Sequence, residues 1–481
     1  MIGKHLKTAI MKPSAIHRLL VIIMVHGLMP CLFAQEPMEE PVVKYEKIWR
    51  LKTRTTHEIL SSPWSLGGET MDREYTVYRN WSPYLEELGI KKIRIQGGWA
   101  RCEKVKGVYD WEWLDEIILD LPRKGIEPWV CLCYGNPLYG RGEVRLGSAI
   151  DTDMETRRAW LHWVASMVTR YQGVVGVWEI WNEPNGHNPA GIYADLLIQT
   201  AVLIRTIQPE TRIMGFSLAG VDVPFATQVL EILKEKDKTR LVDYLSYHPY
   251  RFNPDDSYDK VDELHKIMKS FAPEMELYQG ENGAPSEWRD TKALSNYEWT
   301  ELTQAKWALR RMLGDLGRDI PSSIFSIVDM KYPDEMNRKG LLHANEDKTV
   351  QHRKQAFYAV QNLTAVFDDD LERINGFNCE AMTHHRYSSF GYRNKQSGDE
   401  LFTIWLHTNR PTDYNATTPM DVEIHGAVVQ DPVWLDLRTG WVYQIPEGSY
   451  EATGDETNFK ALPVYDSPVV ICGRKLIVMD H

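Results

Sequence analysis

The feature that most constrains this chain is an alternation of short apolar runs with stretches of helical periodicity, repeated eight times between residues 62 and 367. Strands buried on both faces read as near-continuous apolar runs, and amphipathic helices read with a 3.6-residue period. Runs of the first kind cover 62–69, 91–98, 127–135, 176–185, 212–220, 242–250, 275–283 and 322–332. Each is followed by a stretch of the second kind, at 80–89, 111–125, 156–171, 190–207, 224–236, 259–271, 296–317 and 352–367. Eight β–α pairs in about 300 residues is the size of a TIM barrel. The predicted fold class is therefore α/β, a (β/α)₈ barrel over residues 62–368. A doubly wound open sheet also alternates, but it would carry a glycine-rich phosphate loop, and none is found.

Beyond residue 369 the helical period stops. Strand-like runs at 400–407, 421–429, 432–446 and 468–479 are separated by Gly, Asp, Asn and Pro turns. This predicts an antiparallel β-sandwich domain over 369–481. At the other end, residues 1–34 read as a secretory signal peptide. A basic segment, Lys4 to Arg18, precedes the apolar run Leu19–Ala34, with cleavage expected after Ala34. Residues 35–61 then form an N-terminal linker or extension, and the mature protein is expected to be secreted or periplasmic. No later segment reads as a membrane span, and oligomeric state is not legible.

Without the leader the chain holds 51 basic against 67 acidic residues, a net charge of −16. Such a surface repels nucleic acid and anionic membranes. A strongly anionic polysaccharide is likewise disfavoured as a partner unless the cleft is locally basic. The 17 Trp and 23 Tyr suit a cleft for sugar rings, whose C–H faces stack on aromatic planes. Of six cysteines, Cys31 belongs to the leader; the odd remainder, including Cys131 and Cys133 on one strand face, fits small core residues better than a disulfide framework or a metal pair.

A barrel places its chemistry at the C-terminal ends of its strands. The fourth strand run ends in Asn182-Glu183-Pro184 and the seventh in Gly280-Glu281-Asn282. Two carboxylates so placed face one another across the mouth and can flank a glycosidic bond. Cleaving that bond requires one group to protonate the leaving oxygen and another to meet the anomeric carbon. Mutual repulsion keeps one carboxyl protonated while the other is ionised. Glu183 is assigned as acid/base and Glu281 as nucleophile. Pro184 biases Glu183 toward extended backbone, and Gly280 and Gly283 allow close approach of a sugar. Arg94 is positioned to keep Glu281 ionised, His248 and Tyr250 to orient it, and Asn182 to contact the sugar 2-hydroxyl. Trp99 and Trp288, on loops, are the expected sugar platforms, ahead of Trp178 and Trp181. Glu179 reads as a paired acid deeper in the barrel, Glu276 as too early on its strand, and Lys331 as a surface ion pair. No metal or organic cofactor is required by a two-carboxylate site.

These residues carry a family resemblance. VWEIWNEPN (177–185) resembles the acid/base motif of clan A glycoside hydrolases, and is most similar to family 39, which includes β-xylosidases and α-L-iduronidases. The resemblance implies Glu183 as acid/base with Asn182 as its sugar-contacting neighbour. YQGENG (278–283) resembles the clan's nucleophile segment and implies Glu281; Arg94 in KIRI and SYHPY (246–250) match the second- and sixth-strand positions. The chain departs from family 39 in having Gly-Glu-Asn around Glu281 and SIVDMKYPD (326–334), rather than a Trp, at strand eight. The implied activity is hydrolysis of O-glycosidic bonds with net retention, on a carbohydrate substrate. A transglycosylase using the same site, or a carbohydrate-binding pseudoenzyme, are the alternatives. Sugar, linkage and exo or endo action are not legible.

Overall fold

The computed structural model describes residues 38–480 apart from 290, 291 and 455; the leader read over 1–34 lies outside the described residues. Eight parallel strands close into a barrel: β1 (Trp64–Gly67), β2 (Lys92–Gln96), β3 (Glu127–Leu132), β4 (Val177–Ile180), β5 (Arg212–Ala219), β6 (Tyr244–His248), β7 (Glu276–Gln279) and β8 (Ser322–Ile324). β8 returns to pair with β1, so no edge is left. The strands are shorter than their apolar runs because the last residues of each run leave the ladder to form the mouth. The eighth run departs most, since after Ile324 the chain forms two small ribbons, Met330–Lys331 with Met336–Asn337 and Leu342–Ala344 with Val350–Arg353.

Six of the expected helices form close to their expected ranges, from Met154–Arg170 to Gln355–Val366. The other two are broken. The first is one α-turn, Tyr78–Trp81, followed by 3-10 turns at Ser82–Tyr84 and Glu86–Leu88. The second stops at Ile118 and resumes as a 3-10 turn, Leu121–Lys124. Pro83 and Pro122 explain both breaks, because neither can donate to the preceding turn. Helix Ala190–Ile207 is long and apolar enough to cross a membrane by length and composition, with mean hydropathy 1.4. In the fold it is a barrel helix whose Tyr193, Leu197, Ala201 and Ile204 are buried.

The C-terminal region is a sandwich of an eight-stranded and a four-stranded antiparallel sheet. The expected linker contributes to it: Glu46–Leu51 pairs with Trp441–Gln444 inside the larger sheet. One apolar core runs from the barrel into that sheet through Leu401, Trp405, Val433 and Leu435, and a second fills the space between the sheets around Phe402, Trp434 and Phe459. A buried ion pair and a hydrogen bond fix the join. Lys306, on helix Glu301–Leu316, reaches Asp466 at 2.7 Å, and Trp405 Nε1 donates to Asp255 at 3.0 Å. The five cysteines after the leader are all free.

Candidate active site

The mouth is organised around the buried guanidinium of Arg94. Arg94, on β2, has no exposed surface. Its Nε and Nη2 donate to the two oxygens of Glu179 on β4, at 2.7 and 2.8 Å. Nη1 donates to Glu69 Oε1 and to Glu281 Oε2, both at 2.8 Å, and Nη2 also reaches Asn182 Oδ1 at 2.6 Å. A guanidinium carries five donors in a rigid plane, so one side chain fixes groups from β1, β4 and β7 at once. Glu179 is thus the paired barrel acid expected of it, and Arg94 contacts Glu281 as expected.

Glu281 is held at both oxygens. Tyr250 donates to Oε1 at 2.9 Å while Arg94 holds Oε2. Burial raises its pKa, but His248, Arg94 and the Tyr250 hydroxyl outweigh this, and the carboxyl sits below its ordinary range. Glu183 meets His248, whose Nδ1 lies 2.9 Å from Glu183 Oε1 and 3.9 Å from Glu281 Oε2. Burial disfavours the charged imidazolium, yet Glu281 and Glu183 together raise the pKa of His248. One oxygen of each glutamate and a ring nitrogen of His248 all lie within 4.8 Å of one another. The spacing alone could hold a cation, but Arg94, 2.8 Å from Glu281, opposes a further positive charge there.

Exposure separates the four carboxylates. Glu183 and Glu281 retain 16% and 13% of their side-chain surface, whereas Glu69 and Glu179 retain 1% and 0%. Only the first pair is open to a ligand.

Local backbone differs from expectation at Glu183. It adopts φ 49°, ψ 54°, the left-handed region, rather than the extended form Pro184 was expected to impose. That conformation is uncommon for a residue with a Cβ. It is held by a hydrogen bond from the Glu183 N–H to the Ser217 carbonyl at 2.9 Å. Ser217 can present that carbonyl because β5 bulges at Phe216–Ser217, where its register against β6 shifts. Gly280 and Gly283 also serve another purpose than sugar access. A Cβ on Gly280 would lie 2.1 Å from Ser246 Oγ, and one on Gly283 would lie 1.9 Å from the Phe325 carbonyl. Neighbouring strand ends occupy the space that these glycines leave.

Of the remaining expected site residues, Asn182 is buried, with Oδ1 on Arg94 and Nδ2 donating to the Tyr134 hydroxyl at 2.7 Å. A second Nδ2 hydrogen remains for another acceptor. Trp99 is not a platform. It is 1% exposed, its ring is stacked on both Tyr139 and Trp163, and Nε1 donates to Glu103. Both aromatic faces are taken by the core, as the short helix Trp99–Cys102 turns the ring inward. Trp178 and Trp181 are buried as well. Trp288 is 51% exposed on the loop after β7. Lys331 pairs with Glu346 at 2.6 Å, the surface ion pair expected.

Two residues escaped the sequence reading. Glu69 follows β1 and accepts from Arg94; burial, with Glu281 adding repulsion against the pull of Arg94, pushes it up to about 7. Its signal was available, as an acid at a strand's C-terminal end. Lys339, in the loop after the ribbon strand Met336–Asn337, stands over the Tyr250 ring at 4.2 Å, and nothing local in sequence announces it.

Comparison with known proteins agrees with this architecture. No protein-family model and no curated protein matches the chain. Among solved structures it is similar to a family 39 glycoside hydrolase from the gut symbiont Bacteroides cellulosilyticus WH2, with TM-score 0.62 and 18% identity, over 86% of this chain and 81% of that one. It is also similar to a monomeric beta-xylosidase from Caulobacter crescentus CB15, with TM-score 0.56 and 16% identity, over 88% and 97% of the two chains. A family 30 subfamily 8 xylanase from Clostridium acetobutylicum aligns with TM-score 0.54 and 12% identity, over 88% and 97%. The chain therefore has the fold of family 39 and family 30 glycoside hydrolases, a barrel with its β-sandwich.

Proposed function

We propose that this protein is a retaining glycoside hydrolase in which Glu281 is the nucleophile and Glu183 the acid/base. The observation that carries the reading is the pair itself: two partly exposed carboxylates at opposed strand ends, with oxygens within 4.8 Å. Retaining sites hold their carboxyls about 5–5.5 Å apart, whereas inverting sites need about 6.5–9.5 Å to admit a water. The electrostatics support the division of labour. Arg94, His248 and Tyr250 keep Glu281 anionic, while Glu183 does not touch the guanidinium and, among the described residues, its side chain hydrogen-bonds only with His248.

In the first step a Glu281 oxygen attacks the anomeric carbon as the bond to the leaving oxygen breaks, and Glu183 gives that oxygen its proton. In the second, Glu183 takes a proton from water, which attacks the same carbon and releases Glu281 as carboxylate. Esterification removes the negative charge of Glu281, so in the second step the Glu183 that acts as base no longer faces a second carboxylate. The remaining Asn182 Nδ2 hydrogen is available to the sugar 2-hydroxyl, and exposed Trp288 is available to stack on a ring. The leader expected from the sequence supports a location outside the cytoplasm for this activity.

The stereochemical test is proton NMR of the first-formed product from an aryl glycoside that the protein cleaves. The anomer matching the substrate is expected to appear first. Initial appearance of the opposite anomer would contradict double displacement.

A further inference from the structure

Resting on the reading above for the ligand being a sugar, we propose that Lys339 is a specificity determinant for a glycone bearing an anionic substituent, a carboxylate or a sulfate.

Lys339 is only 4% exposed, yet among the described residues its Nζ makes no hydrogen bond and no ion pair. This is unusual even within this chain. The two other deeply buried lysines are both paired, Lys306 with Asp466 at 2.7 Å and Lys354 with Asp329 at 2.6 Å. An ammonium largely withdrawn from water without a protein partner is costly, and costs of this kind are kept where a ligand supplies the partner; the Nζ itself keeps a little contact with solvent, so a ligand can reach it. The contact that Lys339 does make points to which ligand. Its Nζ stands 4.2 Å from the centre of the Tyr250 ring, and the hydroxyl of that ring holds Glu281. The cation is therefore one aromatic ring away from the carboxylate that would bond the anomeric carbon of the glycone.

Its surroundings suit an anion. Arg289, 6% exposed, uses Nη1 on Asn337 and Nη2 on Glu335, and its buried Nε has no partner. The backbone is fixed in advance, since the Lys339 carbonyl accepts from the Ser326 N–H and from Gln304 Nε2, both at 3.3 Å. Glu281, Glu183 and Glu335 favour the charged lysine, while burial and Arg289 disfavour it, and the balance brings its pKa down to about 7. A bound anion would tip that balance toward the ammonium. The chain as a whole is acidic and three carboxylates share this end of the cleft, so Lys339 and Arg289 are the charges that would meet an anionic sugar.

The test uses sets of nitrophenyl glycosides differing only at the exocyclic position: the uronide, the neutral hexoside and the 6-sulfated hexoside, in the gluco and galacto series. In one set, kcat/KM for an anionic member should exceed that of its neutral parent by about thirtyfold or more. Whether the carboxylate or the sulfate is preferred identifies the group. Lys339→Met should collapse the ratio toward parity, and Lys339→Arg should preserve it. In the wild type, KM for the anionic member should rise as pH passes upward through 7; in Lys339→Arg it should not, because arginine does not titrate there. That comparison stands even if Lys339→Met fails to fold.

A neutral parent cleaved as well as its anionic partners would overturn the proposal, as would a ratio that survives in a folded Lys339→Met. If no glycoside of the panel is cleaved, thermal-shift binding of glucuronate, galacturonate, glucose 6-sulfate and the neutral sugars separates the two readings. Anion binding that depends on Lys339, without turnover, would support this proposal and count against the hydrolase reading. Absence of binding would overturn this one.

Discussion

His248 Nδ1 lies 2.9 Å from Glu183 Oε1 and 3.9 Å from Glu281 Oε2, so one buried imidazole bridges the two carboxylates of the site. Its Nδ1 shares a hydrogen bond with Glu183, and its positive charge when protonated favours an ionised Glu281. A hydrogen bond to a charged group contributes about 1.5–3 kcal/mol. His248→Phe is therefore expected to lower kcat roughly ten- to a hundredfold, with circular dichroism unchanged. A loss below threefold would mean that the bridge is incidental.

Glu183 should reveal its role through leaving-group dependence. Glu183→Ala is expected to retain near-normal first-step rates on dinitrophenyl glycosides, whose leaving group needs no proton, and to lose about two to four orders of magnitude on alkyl glycosides. Azide should restore turnover and yield a glycosyl azide of retained configuration. Equal losses on both substrate types would remove Glu183 from the acid/base role.

Arg94 joins the site to the fold. It holds Glu69, Glu179, Glu281 and Asn182 with no exposure to water. Removing one partner of a buried ion pair typically costs about 3–5 kcal/mol. Arg94→Met should lose at least that much in urea unfolding, and activity with it. An Arg94→Met protein of wild-type stability would contradict the arrangement.

The pH dependence of stability has opposite signs at two acids. Glu281 is depressed below its ordinary 4.5, so its contribution is present above that value and lost as pH falls through its folded pKa. Glu69 is raised to about 7. Between 4.5 and about 7 the native protein holds a proton on Glu69 that the unfolded chain releases, so this group weakens the fold as pH rises through that window. Relative to Glu69→Gln, the wild type should lose stability between pH 5 and pH 8. Urea midpoints of the two proteins that move in parallel would refute it.

The barrel was legible because its strands are buried on both faces and so form unbroken apolar runs, which need no partner to be seen. The broken second helix was legible too late: Pro122 sat inside an otherwise good period, and local chemistry prevailed over it. Glu183 and Glu281 could be found because a topological rule says where on a strand to look. Glu179 could be placed deeper in the barrel because it precedes Glu183 on the same strand run, and Arg94 followed from its place on the second run. Trp99 went the other way, since a loop position does not reveal that a helical turn will fold the ring between Tyr139 and Trp163. Lys339 was invisible because its meaning depends on what it lacks, a partner, and that emerges only when the loop after β8 packs over Tyr250. The conformation of Glu183 likewise depends on a bulge in a different strand, β5.

The most direct measurement is mass spectrometry of the protein after incubation with a 2-fluoro glycoside bearing a good leaving group, in the sugar series it cleaves. Fluorine at C2 slows both steps, and the leaving group lets the first outrun the second. One fluorosugar mass on the peptide carrying Glu281 is the predicted result. A label on any other residue, or none at all while turnover of the parent glycoside inverts configuration, would contradict it.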